Sequence, residues 1–187
     1  MRDRRDPTAL DIAALCREGE ALEGRLALTP LERLTGSLFG AVAPGAEAAW
    51  SAQASQEPVA GGEPERWLHL QARAEVRLQC QRCLEALQQP LEVDRRYRFV
   101  RDDKLAEQLD EEIEDDVLAL PPRLDLLELI EDELILALPI VPRHEGECPR
   151  PLPQPAAVAE VAAPNPFAKL AELRRPAPAA DSDDGAK

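Results

Sequence analysis

The stretch from Trp67 to Gln79 alternates without a break. Leu68, Leu70, Ala72, Ala74, Val76 and Leu78 fall on one side; Trp67, His69, Gln71, Arg73, Glu75, Arg77 and Gln79 fall on the other. Successive strand side chains point to opposite faces, so a period of two kept up this long specifies a β-strand with one dry and one wet face. The pattern returns after Pro90 in Leu91, Val93, Tyr97 and Phe99, with Glu92, Asp94, Arg96 and Arg98 facing away and Arg95 interrupting the apolar side. Two such strands joined by about a dozen residues pair antiparallel. Weaker strand patterns lie at Leu22–Leu28 and Ala46–Ala54.

A sheet with one apolar face needs helices to cover it, and the sequence supplies them. Asp11 to Glu18 reads as a short helix capped by Asp11 and closed by Gly19. Thr29-Pro30-Leu31-Glu32 reads as a capping box with proline at the first helical position, ending at Gly36. Asp125, followed three residues on by Glu128, starts a helix that runs to about Leu138 and stops at Pro139. Its expected buried stripe is Leu127, Ile130, Leu134 and Leu138, with Glu128, Glu131, Asp132 and Glu133 wet. The expected fold class is α+β: an antiparallel sheet of about four or five strands with packed helices.

Residues 1–150 are expected to form one domain with an aliphatic core, since aromatics make up only 3% of the chain. Asp102 to Asp116 holds nine acids against Lys104 and reads as a solvated, mobile loop. Residues 151–164 are rich in Pro and Ala and read as a linker. Residues 165–175, NPFAKLAELRR, place Phe167, Leu170 and Leu173 at helical spacing and suit a docking motif on a tether; residues 176–187 read as a disordered tail. The longest apolar run, Leu134 to Val141, is far shorter than the roughly 20 residues a membrane helix needs. Arg2, Arg4 and Arg5 are followed by Asp6 and Pro7 rather than an apolar stretch. A cytoplasmic chain without membrane association is expected, in which cysteines serve as thiols or metal ligands rather than structural disulfides.

Cys80 and Cys83 form a C-x2-C knuckle, and His144 with Cys148 lies directly after the last long helix. Three thiolates and an imidazole make a tetrahedral zinc set that would tie a hairpin tip to a helix exit. The competing readings are four ordinary side chains or a dithiol redox pair; the latter needs a helix N-terminus to lower the thiol pKa, and this motif lies between two strands. Cys16 fits a small buried residue. Eight arginines and four acids between Arg66 and Arg101 give this segment a local charge of +4 in a chain of net charge −14. Arg73, Arg77, Arg96 and Arg98 share the wet face and form a candidate nucleic-acid patch, beside Trp67 and His69 as stacking groups. A register placing Arg77 opposite Asp94 and Glu75 opposite Arg96 would neutralise much of it. No phosphate loop, nucleophile elbow or metalloprotease motif is present, so no enzyme is expected.

Three segments together resemble the YceD family, the large ribosomal RNA subunit accumulation proteins: LQCQRCLEAL (Leu78–Leu87), IEDELILALPIVPRHEGEC (Ile130–Cys148) and NPFAKLAELRR (Asn165–Arg175). The resemblance covers roughly Leu10 to Arg175, and the acidic helix running into LP-x-VP-x-H is its most specific part. It implies a part in synthesis, processing or stability of bacterial large-subunit ribosomal RNA, with pre-ribosomal RNA or an assembly particle as partner, and no known catalytic residues. The alternative is a zinc-containing module whose acidic surface engages a basic ribosomal protein or a transcription component.

Overall fold

The alternating segments form the two longest strands of a sheet. A computed structural model describes residues 6–150. Its elements are α1 (Ile12–Glu18), β1 (Ala21–Ala27), α2 (Glu32–Thr35), β2 (Glu47–Glu57), β3 (Glu65–Gln79), β4 (Ala86–Val100), α3 (Asp103–Asp110), β5 (Asp116–Ala119) and α4 (Leu126–Leu136). The five strands lie side by side in chain order. β1 to β4 are antiparallel neighbours, and β5 joins β4 in parallel, so this α+β sheet is mixed at one edge. The residues 151–187 assigned from sequence to a linker, a docking motif and a tail lie outside the described residues. No helix among the described residues is long and apolar enough to cross a membrane.

β4 begins earlier than the hydrophobic pattern suggests and runs through Pro90. The Cys80 N–H donates to the Glu85 carbonyl at 2.9 Å, so hydrogen-bonded pairs alternate back through Leu87, Gln89 and Leu91. Pro90 therefore falls where its nitrogen points away from β3, and β5 pairs β4 only from Tyr97 onward. Proline is tolerated at such an unpaired position. The connection shrinks to residues 80–85, which also shifts the register.

The apolar face is covered by α1 and α4, and the core runs from Leu10, Ile12 and Leu15 through Leu68, Leu70 and Leu91 to Leu126, Ile130 and Leu134. α1 matches its sequence signals: the Asp11 carboxylate accepts from Ala14 N at 3.0 Å, and Gly19 closes the helix at φ 64°. Leu126, rather than Leu127, starts the buried stripe of α4. The acidic run is not a mobile loop. Asp102 caps α3 by accepting from Leu105 N at 2.9 Å, and Leu105, Ala106, Leu109 and Ile113 pack with Val100 and Val117 as a second, smaller cluster. The acids of this segment hid an apolar face one helical turn wide.

The expected capping box at Thr29 is absent. α2 starts at Glu32 without any side-chain cap of its own. Its cap comes from α4: Glu131 Oε1 accepts from the backbone N–H groups of Arg33 (2.9 Å) and Leu34 (3.1 Å), while Oε2 accepts from the Arg33 guanidinium, Nη2 at 2.8 Å. Asp132 holds the same guanidinium. Glu133 is likewise buried and meets Arg95 at 3.3 Å, which explains the charged residue on the apolar side of β4. Two of the acids expected to be wet are thus buried because each has a cation brought to it.

Burial raises the Glu131 carboxyl pKa, but the Leu34 and Arg33 amides and the Arg33 guanidinium outweigh it, and the net shift is downward. A carboxylate with a depressed folded pKa stabilises the fold above its unfolded pKa, and that stabilisation fades as pH falls through the folded value. Glu131→Gln should cost about 2 kcal/mol and Glu131→Ala about 3 kcal/mol at pH 7, against a near-neutral Glu128→Gln. Chemical denaturation at pH 7 and below pH 4 checks both the cost and its shrinkage in acid.

Candidate metal centre

The β3–β4 turn carries the knuckle. Cys80 directly follows β3, and its carbonyl accepts from Leu84 N at 2.8 Å, closing a tight loop in which Leu84 takes the left-handed conformation at φ 64°. That conformation costs a non-glycine residue about 1 kcal/mol, so the loop is held by its surroundings. Two such holds are visible. Gln81 N donates to the Pro142 carbonyl at 2.9 Å, joining the turn to the segment that leaves α4. Arg82 Nε donates to Cys148 Sγ at 2.9 Å and Arg82 Nη2 to the Gly146 carbonyl.

These ties bring the four sequence-predicted donors together. Cys80 Sγ lies 3.8 Å from Cys148 Sγ, and His144 Nδ1 lies 3.6 Å from Cys83 Sγ and 3.8 Å from Cys148 Sγ. No ligand atom is more than 4.8 Å from another. A tetrahedral zinc ion with Zn–S bonds of about 2.3 Å and a Zn–N bond of about 2.0 Å sets sulfur–sulfur edges near ~3.8 Å and sulfur–nitrogen edges near ~3.6 Å. The three distances above match those edges; a disulfide would need about 2.05 Å, and all four cysteines are free thiols. The donor set therefore fits zinc, which Cys80, Cys83, His144 and Cys148 would hold. Zinc bound there would supply cross-linking of the turn to the segment after α4.

Burial pushes the Cys80 thiol up, but the backbone amides of His144, Arg82 and Cys83 and the His144 ring overcome it and hold it at about 5. Burial also works against Cys148, where Arg82, Cys83 and His144 bring the net shift down. Cys83 is pushed up to about 11, first by burial and then by the two neighbouring sulfurs. The His144 pKa is raised because its protonated ring donates to the sulfurs of Cys80 and Cys148. Three thiolates and a neutral imidazole around a divalent ion would leave one negative charge, which the Arg82 guanidinium, already bonded to Cys148 Sγ, would face. Sequence reasoning counted Arg82 only as surface charge; the available signal was a cation placed between two candidate ligands. The turn is followed by a strand, not a helix, so it lacks the setting of a thioredoxin-type dithiol. Cys16 is buried, with its thiol near the Trp67 carbonyl at 3.5 Å, and burial raises its pKa.

The candidate nucleic-acid patch has a different geometry from the one expected. The register pairs Arg73 with Glu92, Gln71 with Asp94 and His69 with Arg96, so Arg77 does not face Asp94 and Glu75 does not face Arg96. All four arginines have protein partners nonetheless: Arg73 meets Glu92 (3.8 Å), Arg96 meets Glu57 (3.2 Å), Arg98 meets Glu65 (2.6 Å), and Arg77 donates to the Phe39 carbonyl (3.0 Å). Trp67 is buried beneath Arg96, whose guanidinium sits 4.4 Å from the ring centroid, and His69 is bonded to Asp94 at 2.6 Å. Trp67 therefore presents no free stacking face, while His69 stays part-exposed with its ring tied to Asp94 through Nε2. Phe167, Leu170 and Leu173 lie outside the described residues.

The family model of YceD, the large ribosomal RNA subunit accumulation protein, matches residues 68–174, more than half of the chain. The chain belongs to the YceD family. The match spans all four candidate ligands, both β3–β4 strands from Leu68 onward, and α4. A relative named large ribosomal RNA subunit accumulation protein YceD, from Haemophilus influenzae, is 39% identical over 108 residues, which make up 54% of this chain. The aligned segment spans 61% of that relative's length. No solved structure matches the chain.

The full chain purified in zinc-containing medium should carry one zinc per molecule by elemental analysis, falling well below half occupancy in Cys80→Ser with Cys148→Ser. Arg82→Met should keep the metal but weaken its affinity by about tenfold in a chelator competition, as for other groups that hydrogen-bond a ligand.

Proposed function

We propose that this chain supports the accumulation of large-subunit (23S) ribosomal RNA as a cytoplasmic, non-enzymatic assembly factor, with zinc in a structural role at the hairpin tip. The family match, which contains the whole candidate metal set, is the observation that carries this reading. The zinc fastens the β3–β4 turn to the segment after α4, so that both are presented as one surface. Depleting the protein should lower large-subunit relative to small-subunit ribosomal RNA in growing cells. Restoring the Cys80→Ser, Cys148→Ser double variant at equal protein level should fail to recover the ratio. An unchanged ratio on depletion would sink the reading.

One observation favours contact through a protein over direct RNA binding. Arg73, Arg96 and Arg98 are paired with acids, and the chain carries a net charge of −14, so the wet face offers little to phosphates. We therefore read the partner as a basic ribosomal protein or another protein of the assembly particle. Tagged chain should retain that partner after nuclease treatment; loss of all association with nuclease would assign the contact to RNA. Phe167, Leu170 and Leu173 are proposed as the docking residues. Phe167→Ala with Leu170→Ala should weaken association with pre-ribosomal particles and leave the melting temperature nearly unchanged.

A further inference from the structure

β1 is an outer strand of the sheet, and among the described residues it pairs only with β2. Its sequence, Ala21-Leu22-Glu23-Gly24-Arg25-Leu26-Ala27, reads the same in both directions except that Glu23 answers Arg25. It has no proline, lysine or bulge to guard the edge, and its two exposed charges, Glu23 and Arg25, are of opposite sign.

The free groups on this edge can be assigned. Ala54 N donates to the Glu20 carbonyl and Leu28 N to the Ala46 carbonyl, so the residues bonded to β2 are the even-numbered ones: Leu22, Gly24 and Leu26. The backbone N–H and C=O groups of Ala21, Glu23, Arg25 and Ala27 therefore point outward. We propose that β1 pairs antiparallel with β1 of a second copy about a two-fold axis at Gly24, joining two five-stranded sheets into one.

The register follows from charge. Outward groups bond only when odd-numbered residues face odd-numbered residues. Centring the axis at Gly24 sets Glu23 against Arg25 of the other copy twice over, Ala21 against Ala27, and Leu22 against Leu26, with about eight backbone hydrogen bonds. Sliding by one step in either direction puts Glu23 against Glu23 or Arg25 against Arg25, and like charges directly opposite are destabilising. Both charged side chains are exposed, and Arg25 makes only a 3.5 Å contact with Glu47 on its own sheet. On the helix-bearing face Leu22 and Leu26 are half-buried and gain cover from each other's counterparts. Gly24 leaves room for Trp50, whose ring atom Cζ2 would lie 2.8 Å from any Cβ placed there. The strand is short, so the association is reversible and concentration-dependent rather than obligate.

Sedimentation equilibrium of the full chain tests this with a charge-reversal cycle. Wild type should show a monomer–dimer equilibrium. Glu23→Arg alone, or Arg25→Glu alone, places two like-charged pairs at the axis and should raise the dimer dissociation constant about tenfold. The double variant E23R with R25E rebuilds both opposite-charge pairs and should return it to within about threefold of wild type. A chain that stays monomeric up to ~1 mM, where association is negligible, overturns the proposal. A dimer indifferent to both single changes, or not rescued by the double, shows that another surface is used. Hydrogen exchange on the dilute monomer gives an independent check: the Glu23 and Arg25 amides should exchange freely. Strong protection there would mean that another segment of the chain already occupies the edge.

Discussion

Everything described rests on the register of the β3–β4 pair. Fourteen cross-strand partners, from Arg66 with Phe99 to Gln79 with Ala86, are fixed at once. A slip of one residue would turn Leu68, Leu70, Val76 and Leu78 to water and the charged side chains into the core, so burial of a single face specifies the pairing strongly. The same register ends the strands at the six-residue turn 80–85, which sets where Cys80 and Cys83 stand relative to α4. The core and the candidate metal centre are thus two outcomes of one pairing.

Around that spine the charged residues follow a consistent logic. Glu131 and Glu133 lie inside because Arg33 and Arg95 reach them, and Glu131 also supplies the cap that α2 lacks. On the opposite face Arg96 and Arg98 cross Trp67 and end on Glu57 and Glu65. Arg73, Arg95, Arg96 and Arg98 meet acids from β4, α4, β2 and the start of β3 in turn, while Arg77 ends on a backbone carbonyl. A local charge count along the chain treats these groups as free surface; the sheet places them in pairs.

The elements with a regular period were legible from sequence. β3 needed only its alternation, and α1 only Asp11 and Gly19. The four candidate ligands were legible from residue type and from the clustering of His144 and Cys148 at the end of α4, although nothing local stated that this end returns to the turn. What sequence did not reveal depended on partners distant in the chain. α2 is capped by a residue nearly a hundred positions away, so the local capping-box pattern at Thr29–Glu32 pointed to the wrong partner. α3 was concealed because nine acids outweigh Leu105, Ala106 and Leu109 in any average over the segment, while the helix sorts them onto separate faces. Pro90 was read as a boundary because its effect depends on which side of the strand is unpaired, and that is a property of the sheet. The β5 pairing is parallel because α3 carries the chain back only as far as Tyr97, beside the last residues of β4, and a four-residue strand contains no mark of its direction.

The candidate ligands are divided between the hairpin tip and a segment some sixty residues later, with β4, α3, β5 and α4 between them. Closing a chain loop of that length before its elements exist carries a larger entropy loss than closing the few residues within the Cys80–Cys83 knuckle. Metal capture by the full set would therefore be a late event: Cys80 and Cys83 could engage an ion early, but His144 and Cys148 would arrive only once α4 had docked on the sheet. In the folded molecule the order reverses. Loss of a bound ion would release the segment after α4 first, because Cys80 and Cys83 are also held in the main core while His144 and Cys148 are only part-buried. A metal there would act as a clasp closed from one side, with two donors set in the core and two brought to it by the end of α4.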